Sequence, residues 1–185
     1  MTPSDLNEEQ LVIELRLGST RAFGLIYERY KDSLCNYCSS LVKNNDVAED
    51  IVHEIFLKMW NNIQTLNEVR SFRTWLFSIA RNQALLFLRD RKPFEELSEG
   101  LPREEESPLD LLVNEEQSAM MGSLLNRLRP AYRELMLLRI EGELSYADIA
   151  AVTGMSQSAV RTHLYRARKA LAKVYAELYG GKNGR

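Results

Sequence analysis

A long stretch without glycine or proline is the feature that most restricts the fold of this chain. Residues 25–92 contain neither residue type, and these are the two that most often interrupt regular structure. Apolar side chains in this stretch recur at helical spacing rather than in strict alternation. The spacing predicts three helices: 20–42, a second from Asp46 as N-cap to residue 60, and a third from residue 72, after Ser71 as N-cap, to residue 91.

The rest of the chain also carries helical signals. A short helix is predicted at 8–17, ended by Gly18. Past residue 113, Pro130 suits a first helical turn, and Ser145 and Ser156 suit N-caps. These signals predict four more helices, at 114–127, 130–140, 146–152 and 157–179. Because no segment alternates polar and apolar residues as a strand does, the fold class predicted is all-α, with two helical domains.

Charge is sorted along the 185 residues, although the whole chain sums to only −2. Residues 1–92 hold 12 basic and 12 acidic side chains, residues 93–117 hold one and nine, and residues 118–185 hold 11 and five. The middle segment also contains the prolines at 93, 102 and 108. Like charges and prolines keep a chain extended. We therefore expect domains at 1–92 and 118–185, joined by an acidic flexible linker at 93–117.

Composition and motifs exclude several classes of protein. A hydrophobic fraction of 45% is that of an ordinary globular chain, and no apolar run approaches the length that spans a bilayer. The N-terminal residues do not resemble a signal peptide, so we expect a cytoplasmic protein. Cys35 and Cys38 could form a redox pair or half of a zinc site, but without a second pair we favour buried helical cysteines. Finding no catalytic motif, we expect no enzyme activity and no cofactor.

The strongest motif is a helix-turn-helix at 144–168. A short capped helix precedes Gly154, which permits the turn, and Val160 and Leu164 lie on the apolar stripe of the second helix. The opposite face carries polar and basic side chains that suit contacts with bases and phosphates. The alternative is a solvated basic face in an ordinary bundle. The candidate DNA-binding residues are Ser158, Arg161, Thr162, Tyr165, Arg166 and Lys169.

A second basic segment precedes the acidic linker. Residues 70–92 contain six basic side chains and one acidic one, Asp90, interleaved with aromatic residues that include Trp75. Basic charge with aromatic rings is typical of proteins that bind single-stranded nucleic acid. By pattern alone, we favour a place in the protein core for most of these aromatics.

An apolar residue among acids marks the predicted helix 46–60. One face of this helix is apolar, and the other carries Asp50, His53, Glu54 and Leu57. An exposed leucine surrounded by carboxylates suits a protein-docking surface. Isolated exposed apolar residues are nevertheless common, and this pattern alone is a weak indication.

Three ordered segments, 48–60, 72–82 and the helix-turn-helix with 128–135 before it, resemble the sigma-70 family of bacterial RNA polymerase factors, in particular its extracytoplasmic-function (ECF) group. The resemblance implies binding to core RNA polymerase (β and β′ subunits) through Asp50, Glu54 and Leu57. It implies opening of the −10 promoter element by the helix at 72–92, with Arg73, Trp75, Arg81 and Asn82 as our candidates and Asn82 at a flipped base. It also implies recognition of the −35 element in the major groove by the second helix of the motif.

The resemblance implies one further partner and shows one departure. Members of the group are commonly held inactive by an anti-sigma factor anchored in the membrane. Leu86 stands where family members often carry an acid, which affects the expected packing or −10 contacts. Two other hypotheses are a freestanding helix-turn-helix regulator that binds duplex DNA without polymerase, and a helical adaptor with no role on DNA.

Overall fold

Eight α-helices make up the parts of the chain that the computed structural model describes, residues 7–90 and 115–179. The all-α prediction is confirmed there. In chain order the helices are α1 (Glu8–Arg16), α2 (Thr20–Val42), α3 (Asn45–Asn62), α4 (Phe72–Asp90), α5 (Glu115–Asn126), α6 (Pro130–Ile140), α7 (Tyr146–Thr153) and α8 (Gln157–Tyr179). Two short 3-10 turns, Ile63–Thr65 and Val69–Ser71, connect α3 to α4.

Helices α1 to α4 form what we call the N-terminal bundle. Helix α2 contacts each of the other three, and its inward face places Ile26, Leu34 and Tyr37 in a shared core, all fully buried. Aromatic rings from different helices meet in this core, including Tyr37 of α2 and Phe77 of α4, whose centroids lie 5.6 Å apart. Burial of such rings is a large stabilising contribution, and it fixes the orientation of α4.

The predicted helix caps of the N-terminal bundle need two corrections. Ser71, predicted as the N-cap of α4, belongs instead to the 3-10 turn Val69–Ser71, and α4 begins directly after it at Phe72. Ser19 caps α2 by accepting from the Ala22 amide at 3.2 Å. The prediction of Asp46 as the cap of α3 is wrong, because the Oδ1 of Asn44 accepts from the Val47 amide at 3.0 Å and the helix begins at Asn45. Asn and Asp are about equally good caps. Sequence preference alone therefore could not choose between two such residues so close together.

Helices α5 to α8 form the C-terminal bundle, and α6 packs against both α7 and α8. Leu135, Leu138 and Leu164 are among its most buried side chains. The predicted bounds of α6 and α8 agree with the structure, and Pro130 occupies the first turn of α6. Of the predicted acidic linker, residues 93–114 lie outside the described residues, while 115–117 belong to α5.

The two bundles contact each other directly through α4 with α7 and α2 with α6. Phe77 of α4 is fully buried in this contact region. Buried Gly142, in the turn after α6, lies so near that a Cβ added to it would stand 3.4 Å from the Phe77 ring. Among the described helices, none is long and apolar enough to cross a membrane.

Candidate nucleic-acid interface

The helix-turn-helix formed by α7 and α8 is fixed by local hydrogen bonds at both helix starts. Ser145 and Asp148 form a capping box on α7, in which the side chain of each accepts from the backbone amide of the other, both at 3.1 Å. Gly154 follows α7 with φ of +74°, a left-handed conformation that glycine adopts without strain. Ser156 then caps α8 by accepting from the Ala159 amide at 3.2 Å. These contacts set the angle between α7 and α8.

Helix α8 separates a buried apolar stripe from an exposed polar face. Val160, Leu164 and Ala167 are fully buried against the rest of the bundle. All six residues predicted to contact the −35 element are exposed, namely Ser158, Arg161, Thr162, Tyr165, Arg166 and Lys169. The ammonium group of Lys169 lies 5.4 Å from the centroid of the Tyr165 ring. A helix that exposes a polar and basic face in this way has the form that enters a DNA major groove.

One basic residue of α8 has a structural contact that the sequence did not indicate. Arg168 donates to the Tyr146 hydroxyl of α7 at 3.0 Å, and the guanidinium of Arg139 lies 5.9 Å from the centroid of the same ring. These contacts link α6, α7 and α8 around Tyr146. Arg168 therefore helps to orient α8 beside its exposed polar face.

The four residues predicted to contact the −10 element divide between two faces of α4. Trp75 and Asn82 line a cavity of about 300 Å³, whereas Arg73 and Arg81 contact acidic side chains of the C-terminal bundle. Helical spacing explains this division, because residues separated by three, four or seven positions share a face. The structure thus brings together two of the four predicted residues and places the other two in a different environment.

The cavity on α4 combines one aromatic wall with polar groups. Its lining comes from the end of α3, the turn that follows and the exposed side of α4: Lys58, Asn62, Thr65, Trp75, Ile79, Asn82 and Gln83. An aromatic ring can stack on an unpaired base, and amide groups can pair with its edge. Sequence analysis missed Lys58, Asn62, Thr65 and Gln83. The sequence did contain a signal for these residues. The connection between α3 and α4 is short and polar, so it must keep the end of α3 close to α4.

Leu86 lies one turn beyond Asn82 on α4. Its side chain is 39% exposed, as is that of Leu85. The departure from the family pattern therefore falls on the surface of the helix rather than in the core.

Arg73 sits in a network that joins both bundles. Its guanidinium pairs with Glu8 of α1 at 3.1 Å and with Glu143 of the C-terminal bundle, and its Nε donates to the Tyr30 hydroxyl at 3.2 Å. The Tyr30 hydroxyl in turn donates to Glu8. Burial, reinforced by the hydrogen bond to Glu8, raises the pKa of Tyr30 well above its usual value. The tyrosine therefore remains a neutral hydrogen-bond donor in this network.

Two further polar contacts join α4 to the C-terminal bundle. The Nε of Arg81 lies 2.7 Å from Oε1 of Glu134, and both side chains are less than a quarter exposed. Thr74 donates to Oδ1 of Asp148 at 2.9 Å. Burial acts to raise the pKa of Asp148, but hydrogen bonds from Ser145 and Thr74 outweigh burial and hold this pKa below its usual value.

The polar face of α3 has the exposure that the sequence predicts. Asp50 and Glu54 are exposed. Leu57, which follows them on the helix and precedes Trp60, is 47% exposed. Trp60 is half-buried, with its ring 5.4 Å from that of Phe23 in an edge-to-face contact. An exposed leucine beside two carboxylates can provide both apolar and charged contacts to a partner.

The two cysteines are free thiols in α2. Cys38 is fully buried and Cys35 partly so. Burial raises the pKa of Cys38 to about 12 and also raises that of Cys35, so the reactive thiolate form is scarce near neutral pH. Within residues 7–90 and 115–179, no group of acidic, histidine and cysteine side chains is arranged to hold a metal ion.

Comparison with known families places both bundles in one class. Residues 26–94 match the model of sigma-70 region 2, and residues 118–171 match that of sigma-70, region 4. The chain belongs to the sigma-70 family, the promoter-recognising factors of RNA polymerase. The match at 26–94 covers the part of the chain that a freestanding helix-turn-helix regulator would not share, so that alternative is not favoured.

Individual relatives define the group within the family. The chain is 30% identical to the ECF RNA polymerase sigma factor SigW of Bacillus subtilis, over 89% of this chain and 95% of SigW. It is also 30% identical to the ECF RNA polymerase sigma-E factor of Escherichia coli, over 90% of this chain and 93% of that protein. These relatives place the chain in the ECF group of sigma factors.

Two solved structures have a similar fold. The first is CnrH in complex with the cytosolic domain of CnrY, with 26% identity, a TM-score of 0.67, and coverage of 92% of this chain and 97% of CnrH. The second is the sigma factor RpoE in complex with the anti-sigma factor NepR from Bartonella quintana. It shows 25% identity, a TM-score of 0.63, and coverage of 84% and 97%.

Proposed function

We propose that this sigma factor uses three separate surfaces: the acidic face of α3 for core polymerase, α4 for the −10 element and α8 for the −35 element. In this assignment residues 1–92 and 118–185 are the two working domains, and 93–117 connects them. The observation that carries the proposal is the exposed polar face of α8, whose six candidate residues stand opposite a fully buried stripe. A helix of this kind is available to the major groove without rearrangement of its own bundle.

The −35 assignment rests on the chemistry of the exposed side of α8. Arg161 and Arg166 can each donate two hydrogen bonds to a guanine edge, which is the commonest specific contact in DNA recognition. Thr162 and Ser158 can reach bases or phosphates, and Lys169 can neutralise a phosphate. Between Gln157 and Ala176 there is no acidic residue to oppose these contacts.

The −10 assignment rests on the cavity beside α4. Trp75 supplies a stacking surface, and Asn82 supplies an amide that can pair with the edge of a flipped base. Extraction of one base from the duplex costs a few kcal/mol, and capture in such a cavity compensates part of that cost. Arg73 and Arg81, on the adjoining face, are positioned to bind phosphates once their contacts with the C-terminal bundle are broken.

The core-binding assignment rests on α3. Asp50, Glu54 and Leu57 present charge and apolar surface together, and we propose that they bind the β′ subunit, with further contacts to β. In this function polymerase performs the chemistry, so the chain itself is not an enzyme and works with polymerase in the cytoplasm. The solved neighbours CnrH and RpoE were each determined with a bound partner. By analogy, we propose an anti-sigma factor for this chain, anchored in the membrane.

Run-off transcription with core RNA polymerase tests the assignment. Leu57→Arg should reduce binding to core and specific transcripts by about tenfold, because it replaces apolar contact area with a charge. Ile13→Arg is the matched control, since Ile13 of α1 is equally exposed, at 50% against 47% for Leu57. Equal loss in both variants, or in neither, would contradict the assignment of α3. Wild-type protein that yields no specific transcripts with core would contradict the whole proposal.

A further inference from the structure

Two segments without acidic side chains meet where the end of α2 approaches the turn between α5 and α6. Residues 33–45 and 118–133 contain neither aspartate nor glutamate. Lys43, which follows α2, donates from its ammonium group to Oδ1 of Asn126 at the end of α5. Arg133 of α6 donates to the backbone oxygen of the same asparagine. Two cations from different bundles are therefore brought together at one residue.

These cations have no carboxylate partner. Among residues 7–90 and 115–179, no ion pair involves Lys43 or Arg133, nor Arg127 and Arg129 of the adjoining turn. Partial burial, reinforced by the nearby charge of Arg133, lowers the pKa of Lys43 to about 8. Partial burial also lowers the pKa of Arg133. Positive charges held close together without a counter-ion favour the binding of an anion.

Both cations keep hydrogen-bond donors that an anion can use. Arg133 uses its Nε and one terminal nitrogen for the backbone oxygens of Leu125, Asn126 and Leu128. Its other terminal nitrogen makes no hydrogen bond within the described residues and is not fully buried. Lys43 is exposed, and its ammonium group has donors beyond the one that Asn126 accepts. A guanidinium beside an ammonium group is a donor set that suits a phosphate group.

The backbone of Lys43 supplies an independent observation. Its φ of +58° lies in the left-handed region, which glycine or asparagine usually occupies after a helix. A lysine is strained there, because its Cβ approaches the following carbonyl oxygen. Strain of this kind clusters at positions that hold a ligand or perform a function. The strain at position 43 is therefore consistent with a task for the lysine side chain.

We propose that Lys43 and Arg133 bind a phosphate group between the end of α2 and the α5–α6 turn. Neither residue lies on α4 or α8, so the site is separate from the surfaces proposed for promoter DNA. A phosphate bound here accepts hydrogen bonds from the ammonium of one bundle and the guanidinium of the other. Two sources offer this chemistry, a free phosphate compound and the backbone of a nucleic acid.

A chemical-shift titration of the full-length protein with inorganic phosphate tests the site. The amide signals of Lys43 and Asn126 should shift and saturate, whereas chloride at the same ionic strength should cause no saturating shift. Lys43→Asn should weaken binding by about tenfold or more, because charge-assisted hydrogen bonds are lost, while asparagine suits the left-handed backbone. Lys31→Asn is the matched control and should leave the affinity unchanged, since Lys31 of α2 pairs with Glu28.

Asn126→Asp covers the case in which the first variant folds poorly. It keeps an oxygen that can accept from Lys43 and removes neither cation, but it places a carboxylate where the phosphate would bind. Phosphate affinity should again fall by about tenfold. Equal affinity in wild type and in either of these two variants would overturn the proposal, as would shifts that do not saturate.

A titration with a short DNA duplex of arbitrary sequence separates the two sources of phosphate. If a nucleic-acid backbone occupies the site, the duplex should shift the amides of Lys43 and Asn126 at lower concentrations than inorganic phosphate does. Lys43→Asn should then reduce the log–log salt slope of duplex binding by about 0.9, because one phosphate contact is lost. A duplex that leaves these amides unmoved, while inorganic phosphate saturates them, would assign the site to a free phosphate compound.

Discussion

The two basic helices of this protein, α4 and α8, differ in whether their charges are free to meet DNA. On α8 the arginines at 161 and 166 stand on an exposed face with no acid along 157–176. On α4 the arginines at 73 and 81 are paired with Glu143 and Glu134 from the other bundle. A count of basic residues treats the two helices alike. The comparison shows that the position of distant acids decides which basic surface is available.

The largest expected effect comes from a substitution on the buried side of α8. Leu164→Ala removes a fully buried side chain and should lower the free energy of unfolding by about 2–5 kcal/mol. Tyr165→Ala, at the next residue but 58% exposed, should change it by less than about 0.5 kcal/mol, while weakening binding to −35 duplex. Thermal and urea denaturation measure both. Similar losses of stability in the two variants would refute the separation of faces on α8.

A smaller effect on stability should distinguish an arginine of α4 from an arginine of α8. Arg73→Ala should lower the free energy of unfolding by about 1–3 kcal/mol, because it leaves the Tyr30–Glu8 pair without its cationic partner in a half-buried site. Arg161→Ala should leave stability unchanged within about 0.5 kcal/mol and weaken promoter duplex binding by about 1–3 kcal/mol. Urea denaturation and fluorescence anisotropy provide the two measurements. A destabilised Arg161→Ala would remove the contrast between α4 and α8.

The smallest effect concerns Asp148, which belongs to the capping box of α7 and also accepts a hydrogen bond from Thr74 of α4. Asp148→Asn weakens the cap of α7 and the bond to Thr74, and should cost about 1 kcal/mol at pH 7. The pKa of Asp148 is lowered on folding, so the ionised carboxylate stabilises the fold above its unfolded pKa. That stabilisation is lost as pH falls through the lower folded value. The stability difference between wild type and variant should therefore shrink below about pH 4. A difference that stays constant down to pH 2 would contradict the role of the ionised carboxylate.

Local patterns were sufficient to predict most helices and the face of α8. The bounds of α2, α6 and α8 follow from capping residues, Pro130 and the spacing of apolar residues, which all act over a few positions. The exposed face of α8 was predictable for the same reason, since Val160 and Leu164 define its opposite side. The choice of Asn44 over Asp46 as a cap was not predictable, because both residues suit the role equally well.

The −10 surface shows where sequence patterns stop being informative. Arg81 and Glu134 are 53 positions apart, and Arg73 and Glu143 are 70 apart. No periodicity links such residues, so the pairing of Arg73 and Arg81 with acids of the other bundle could be seen only in the packed structure. The cavity residues Lys58 and Thr65 were missed because a turn, rather than a helix, brings them beside Trp75.

Gly142 determines where this contact between bundles can vary during evolution. A methyl group there would stand 2.7 Å from the Leu138 carbonyl oxygen of the same bundle, but at an ordinary 3.4 Å from Phe77 of the other. The constraint on Gly142 therefore comes from the end of α6, within its own bundle. Substitutions at Phe77 and at the paired acids can adjust the contact between the bundles, whereas alanine at position 142 would damage the C-terminal bundle itself. Homologous chains in which the contact between the bundles is stronger or weaker should differ at the former positions and retain the glycine.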